Sequence, residues 1–368
     1  GIAGVVGLGS KPEAIRTVES MVAQMPHRGP DAQGVFAQSN VGLGHLRLSI
    51  IDLSDAAKQP MPDATGRYTM VYNGEVYNYQ SIREELGPAY TFQSDSDTDV
   101  ILASYHAWGP SCLEKLNGMF AFAIWDKVEE QLFVARDRLG IKPLYWYQAE
   151  EKLVFASEVR ALLASGQVPR QIDRASLPEF LRYYSVNTPN TLIQGVKMLK
   201  AGHFGIWKDG VWEMERYWDP SQHEGPEDSD YPTVKDQVRS LLQDSVEKRM
   251  MSDVPFGAFL SGGIDSSAIV ALMASVSNQP VHTFSVVFEE EEFDESPWSD
   301  LIAKKYRTVH HPIPLKPQDF LKELPAALAA MDHPSGDGLN SYVVSQATKK
   351  QGFTVALSGL GGDELFAG

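Results

Sequence analysis

Cysteine is nearly absent: the 368 residues hold one, Cys112. A single thiol excludes an internal disulfide framework and fits a reducing, cytoplasmic setting. Long hydrophobic runs are missing as well. No stretch approaches the roughly 18 apolar residues that a membrane helix needs, so no membrane is expected as a partner. Nor does the start carry a charged segment followed by an apolar one, the mark of a secretory signal. Cations are in deficit: 32 Lys and Arg face 48 Asp and Glu, giving a net charge of −16. With acidic clusters at Glu224–Asp230 and Glu289–Glu295, a nucleic-acid backbone is not an expected partner. No Gly-Lys-Ser/Thr closes any Gly-rich loop, which excludes the kinase-like or GTPase-like phosphate loop.

What is present centres on Phe259-Leu-Ser-Gly-Gly-Ile-Asp-Ser-Ser267. An apolar run (Val254, Phe256, Ala258, Leu260) precedes it and reads as a buried strand. Behind it, Ile269, Val270, Leu272, Met273 and Val276 fall on one helical face of Ser266–Val276. A strand, a tight turn and a helix start leave unpaired backbone N–H groups where the helix dipole is positive, which suits an anion. Gly262 and Gly263 let the backbone approach a phosphate closely, and Ser261, Ser266 and Ser267 offer hydroxyls. Asp265 in such a loop would repel phosphate unless a cation stood between them, so Mg²⁺-nucleotide is the implied guest. A capped turn is the plainer alternative. Against it stands a second strand-like run, Phe353–Leu357, feeding Ser358-Gly-Leu-Gly-Gly-Asp-Glu-Leu-Phe-Ala-Gly368, another Gly-rich loop with acids. In an open parallel sheet both loops would lie beyond the carboxyl ends of their strands, where ligands bind.

The first half reads differently. Strands are expected at Gly1–Leu8, Gly42–Leu53, Met70–Tyr72, Ala121–Trp125, Phe133–Ala135, Leu144–Tyr147 and Val154–Ala156, with helices at Pro12–Met25, Tyr79–Leu86 and Asp97–Trp108. That order suggests layered sheets rather than a βαβ alternation. Polar groups gather at strand ends: His45, Arg47, Asn73, Gly74, Glu75, Asp95 and Asp97. Arg47 offers a planar fork for a carboxylate, and Asp97 a partner for an ammonium, so together they suit an amino acid. Asn73 and Gly74 offer a side-chain amide and a backbone N–H, the donors of an oxyanion hole. Taken singly, Arg47 and Asp97 could be surface charges and Asn73-Gly74 a hairpin turn.

Joint spelling favours the functional reading. Ser-Gly-Gly-Ile-Asp-Ser-Ser at 261–267 with Ser-Gly-Leu-Gly-Gly-Asp-Glu-Leu-Phe at 358–366 resembles the synthetase part of the glutamine-dependent asparagine synthetase family. His27-Arg-Gly-Pro-Asp31, Leu46-Arg-Leu-Ser-Ile-Ile-Asp-Leu53, Tyr72-Asn-Gly-Glu-Val-Tyr-Asn-Tyr79, Ser96-Asp-Thr-Asp99 and Ala135-Arg-Asp-Arg-Leu-Gly-Ile-Lys-Pro-Leu-Tyr145 resemble its glutaminase part, in the same order. The resemblance implies an α/β chain with an N-terminal αββα domain of the N-terminal-nucleophile, class II amidotransferase type. A parallel-sheet ATP-pyrophosphatase domain, adenine nucleotide α-hydrolase-like, would follow. The expected divisions are 1–218, a linker at 219–232, and 233–368, the last truncated because the chain stops just past a loop that should feed a helix. From Thr233 a helix is expected with Val234, Val238, Leu241, Leu242 and Val246 on one face, leading to the nucleotide strand.

By the same resemblance Arg47, Glu75 and Asp97 bind glutamine, and Asn73 with Gly74 forms the oxyanion hole. Leu260, Ser261, Gly262, Gly263, Asp265, Ser266, Val286, Ser358 and Gly359 surround ATP and pyrophosphate, with Asp265 and Asp363 holding Mg²⁺. Asp332–Tyr342 would lie near the acceptor pocket. The implied substrates are glutamine, ATP and a carboxylate, aspartate foremost, and a homodimer is left open.

Two departures stand out. Such enzymes open with a cysteine whose thiolate attacks the glutamine amide, and Gly-Ile-Ala-Gly is what normally follows it. Either that cysteine precedes Gly1 or the protein lacks it and uses free ammonia. Cys112, in a partly apolar helical context, reads as packing. Leu360 stands where the family commonly carries an acid, which leaves open an acceptor other than aspartate, amidated or cyclised in a specialised pathway. A non-catalytic glutamine- or nucleotide-binding protein is the alternative of another class.

Overall fold

A computed structural model describes residues 1–50, 54–222, 230–288, 295–335 and 338–366. Outside them fall half of the expected linker, most of both acidic clusters, the end of the Leu46–Leu53 motif, two residues of the 332–342 stretch and the last two residues. The chain divides into two compact units, Gly1–Glu224 with Asp332–Pro334, and Gly225–Met331 with Ser335–Gly368.

In the first unit the strands are β1 (Ile2–Val6), β2 (Ala32–Gln38), β3 (Val41–Arg47), β4 (Met61–Pro62), β5 (Tyr68–Val76), β6 (Gly118–Asp126), β7 (Gln131–Arg136), β8 (Tyr145–Ala149), β9 (Lys152–Ala156), β10 (Lys197–Met198), β11 (His203–Lys208) and β12 (Val211–Arg216). They form two six-stranded sheets, ordered β10-β8-β9-β1-β3-β2 and β12-β11-β7-β6-β5-β4. The pairings within them are antiparallel. The helices of this unit are α1 (Lys11–Val22), α2 (Tyr79–Leu86), α3 (Asp97–Trp108), α4 (Cys112–Lys115), α5 (Val159–Ala164) and α6 (Leu177–Tyr183).

Two-residue alternation sorts the strands' side chains into layers, because successive Cβ atoms leave opposite faces. On β6, Ala121, Ala123 and Trp125 join Ile2, Val6 and Phe155 of the facing sheet in one buried cluster. Phe120, Phe122 and Ile124, on the other face, pack with Ile82 of α2 and with Val100, Ile101 and Tyr105 of α3. Ala3 and Val5 of β1 turn outward to meet Ala14, Val18 and Met21 of α1 and Leu162 of α5. Helices, sheet, sheet, helices is the αββα order expected. Each large side chain buried in these layers contributes roughly 1.5–3 kcal/mol. Cys112 is fully buried among these groups, and burial pushes its thiol up to about 12, which keeps it unreactive.

Several bounds moved. The strand expected at Met70–Tyr72 runs from Tyr68 to Val76, carrying Asn73-Gly74 inside the ladder opposite Ala121 and Phe120. The dipeptide is therefore not a hairpin turn; the β5–β6 ladder continues through it. Gly74 is needed there, since a Cβ would stand 2.2 Å from the Met119 carbonyl oxygen.

The second unit carries α7 (Tyr231–Arg249), α8 (Ile264–Val276), α9 (Ser296–Tyr306), α10 (Pro317–Ala330), α11 (Gly338–Lys350) and α12 (Gly362–Phe366). Its strands β13 (Phe256–Phe259), β14 (His282–Phe288), β15 (Val309–Leu315) and β16 (Val355–Leu357) make one sheet, ordered β15-β14-β13-β16. All three pairings are parallel. The expected helix is α7, and of its apolar face only Val246 is buried, joining Ala258, Val270 and Met273, while Leu241 is 68% exposed. Amphipathic spacing marks a face able to be buried, and among the described residues only the last turns of α7 meet a partner layer.

Candidate functional site

The parallel sheet fixes the first location. From β13 the chain steps outward to β14 and β15, then returns through α10 and α11 to β16 on the other side of β13. Strand order reverses between β13 and β16, and the crevice beyond their carboxyl ends is the ligand position in open parallel sheets. Both Gly-rich loops leave from there. They touch: a Cβ on Gly359 would lie 2.7 Å from the Ser266 nitrogen, and one on Gly362 would lie 2.4 Å from Cγ of Asp265. Glycine at both positions lets Asp265 lie against the second loop. Gly262 takes φ +87°, a left-handed turn that glycine adopts without strain, and Gly263 caps α8.

Within the first loop Ser261 Oγ and Ser266 Oγ are 3.0 Å apart, and the Gly263 N–H donates to Ser261 Oγ at 3.3 Å. Leu260, fully enclosed, donates its N–H to the Phe284 carbonyl at 2.8 Å, and its own carbonyl accepts from Ser285 Oγ, next to Val286. In the second loop Ser358 Oγ accepts the Leu360 N–H at 3.1 Å, and Asp363 follows Gly362 in the short α12. So the structure brings Ser261, Gly263, Asp265, Ser266, Gly359 and Gly362 into one crevice rim, with Leu260 just past the end of β13 and Val286 on β14 behind. Ser267 Oγ is buried at the start of α8 with no partner. Among the described residues no group of three or more His, Cys, Asp or Glu could hold a metal by itself. Asp265 and Asp363, carboxylates on adjoining Gly-rich loops, nonetheless suit Mg²⁺, which would take its remaining ligands from phosphate and water. Leu360 is 86% exposed, an apolar side chain at the lip of the loop.

The second location lies in the first unit, a cavity of about 330 Å³ lined by Gly1, His45, Arg47, Asn73, Gly74, Glu75 and Asp97, among others. Five residues expected at a glutamine site therefore meet around one cavity, brought by β3, β5 and the start of α3. Asp95, named with them only as a polar group near a strand end, pairs with Arg83 at the surface, 3.2 Å away. Arg47 is almost fully enclosed and donates Nη1 to the Ser54 carbonyl at 2.9 Å. Asn73 Nδ2 is buried and meets no acceptor. A buried amide donor without a partner costs about 1–3 kcal/mol, so Asn73 Nδ2 stands open to an acceptor entering the cavity.

Asp97 is enclosed at the first position of α3. Its Oδ2 accepts Tyr72 Oη–H at 2.6 Å and the Val76 N–H at 2.9 Å. Burial pushes this carboxyl upward, with Tyr72 and then Val76 pulling the other way. His45 Nε2 donates to the Tyr72 carbonyl at 3.0 Å, which fixes the tautomer, and burial above all keeps the ring neutral.

Sequence reasoning passed over several lining residues: His27, Arg28, Gln59, Tyr72, Thr98 and Lys142. Glu158 ties the first two in place, at 2.7 Å from His27 Nε2 and 3.1 Å from Arg28 Nη1. All of these lining residues but Gln59 lie inside the motifs named above, and that membership was the available signal. Nothing local marked Gln59 or Glu158, which reach the site through the fold.

The comparisons with known proteins agree with this geometry. A glutamine amidotransferase domain family matches residues 1–218, and an asparagine synthase family matches residues 237–368. Asparagine synthetase (glutamine-hydrolyzing) 3 of Bacillus subtilis is 36% identical over 96% of this chain and 60% of its own length. Asparagine synthetase (glutamine-hydrolyzing) 1 of the same organism is 39% identical over 99% and 58%. A Methanocaldococcus jannaschii relative of the same family name is 34% identical over all of this chain and 75% of its own length. The chain thus spans about 60% of the two Bacillus relatives. With a family model over more than half its length and this likeness throughout, the chain belongs to the glutamine-hydrolysing asparagine synthetase family.

Proposed function

We propose that this protein is a glutamine-dependent, ATP-consuming ligase that amidates a carboxylate, aspartate to asparagine, releasing AMP and pyrophosphate. The observation that carries the reading is the contact of Asp265 with Gly362, which joins two Gly-rich loops at the reversal of a parallel sheet. We assign residues 1–218 to glutamine hydrolysis, 219–232 to the linker and 233–368 to the synthetase part.

In the first unit Arg47 would take the α-carboxylate of glutamine and Asp97 its α-ammonium, with Glu75 beside them. Those contacts orient the side-chain amide. Asn73 Nδ2 and the Gly74 N–H would then meet the oxygen that turns anionic as the amide is attacked. A cysteine immediately before Gly1 would enter this cavity as the nucleophile, since Gly1 lines it. The ammonia released would pass to the second unit.

There Ser261, Gly262, Gly263 and Ser266 would cradle pyrophosphate at the α8 N-terminus, with Leu260, Val286, Ser358 and Gly359 around the adenylate. Asp265 and Asp363 would hold Mg²⁺, which supplies charge neutralisation at the leaving phosphates. The same loops would release AMP once ammonia has attacked the activated carboxyl.

Incubating the full-length protein with ATP, Mg²⁺, aspartate and either glutamine or ammonia tests this; AMP and asparagine should form with both nitrogen sources. ADP in place of AMP would overturn it. A second reading, favoured by the exposed apolar Leu360, is a carboxylate acceptor other than aspartate. In that case AMP would form with another acid and not with aspartate.

A further inference from the structure

Tyr72 occupies an uncommon position among the groups around the cavity, because three of its polar atoms are each committed to a different stretch of the chain. Its N–H donates to Gln59 Oε1 at 2.6 Å, its carbonyl accepts from His45 Nε2, and its hydroxyl reaches Asp97 Oδ2 at 2.6 Å. The side chain is 3% exposed. It lies on the α3 side of β5, whereas Asn73, next in the strand, alternates to the opposite face. Gly74 makes room for the ring: a Cβ there would stand 2.8 Å from Tyr72 Cε2. The ring is thus wedged on the strand face with its hydroxyl aimed at the one carboxylate of the cavity that opens a helix.

That carboxylate has an electrostatic difficulty. An anion enclosed as Asp97 is loses its hydration, and burial favours its protonated form. A neutral carboxyl would not grip an ammonium group. The counterweights are the Tyr72 hydroxyl and the Val76 N–H. A phenol donating to a carboxylate is the stronger type of bond, shortened and charge-assisted. Burial and the neighbouring Asp97 both push the Tyr72 phenol upward, so it stays a donor across the working pH range.

We propose that Tyr72 is a positioning residue for the ammonium subsite, its hydroxyl fixing Asp97 against the cavity and keeping it ionised for the α-ammonium of glutamine. This rests on the reading of the cavity as a glutamine site. Tyr72 itself touches no substrate; it acts through Asp97.

The test is titration calorimetry of L-glutamine binding to the full-length protein from pH 5 to 8, with Y72F, D97N and the double variant. Phenylalanine keeps the ring in its slot, and melting curves check the fold. Y72F should bind glutamine about tenfold more weakly, with the acid limb of its affinity–pH profile moved to higher pH by about one unit. In the D97N background the same change should cost nothing further, since its route of action is gone. Equal affinity and an unshifted limb in Y72F would overturn the role of Tyr72, as would an undiminished effect in the D97N background. Wild-type protein that binds no glutamine at any pH would instead overturn the glutamine reading, and the role with it.

Discussion

Replacing Asn73 by alanine separates a catalytic donor from a structural one. In the resting protein Asn73 Nδ2 is buried without an acceptor, so removing it discards no protein hydrogen bond. Relief of an unsatisfied donor is worth about 1–3 kcal/mol and offsets the packing lost with the amide. The net change in folding free energy should stay within about 1 kcal/mol. The reaction tells a different story. A donor that meets its acceptor only as charge develops on oxygen is worth about 2.7–4 kcal/mol, or roughly 10²–10³ in kcat. On the proposed oxyanion-hole role the contact is made only in the transition state, so the KM for glutamine should hardly move. In the full-length enzyme N73A should therefore lose glutamine-driven turnover by that factor, keep ammonia-driven AMP formation, and melt like the parent. A variant that unfolds easily, or that keeps its glutaminase rate, would refute the assignment.

Other substitutions probe other parts. G74A places a Cβ 2.2 Å from the Met119 carbonyl oxygen, a backbone atom that cannot swing aside, and should destabilise the first unit by about 2–3 kcal/mol, read from urea midpoints. D265N removes a carboxylate from the junction of the two Gly-rich loops; AMP formation should fall by about 100-fold or more while glutamine hydrolysis persists. Asp126 accepts three hydrogen bonds from Arg67, at 2.6 to 3.0 Å. Burial alone would raise its carboxyl, but Arg67 and the backbone N–H groups of Glu129 and Val128 hold it below the ordinary range. That stabilisation is present above the unfolded carboxylate value of about 3.9 and is lost as pH falls through the lower folded value. D126N should accordingly be less stable than the parent near neutrality, and the gap should close in acid; a gap unchanged at low pH would contradict the pairing. Arg67 is 37% exposed at its side chain, so solvent screening keeps the effect modest.

How much was legible beforehand depended on the range over which the cause acts. Motifs such as Ser261–Ser267 and Tyr72–Tyr79 announced turn chemistry, donor groups and acids because those belong to neighbouring residues. Alternation and helical spacing gave layered sheets in the first half and strand-then-helix runs in the second, since side-chain period is a local property of the backbone; the αββα order and the parallel sheet were implied by the family resemblance. Bounds slipped where a ladder partner extended an element, as β6 does for β5 through Asn73-Gly74. The apolar face of α7 is legible as a face, but which of its residues are buried is not, because burial needs a second surface.

By itself, then, the chain determined which groups exist and which faces are apolar. Tertiary structure alone decided that Tyr72 would reach across to Asp97, 25 positions on, that Glu158 would brace His27 from 131 positions away, and that Gly362 would lie against Asp265. These are contacts between elements distant in sequence, fixed by sheet order and register, and no short-range pattern of residues encodes them.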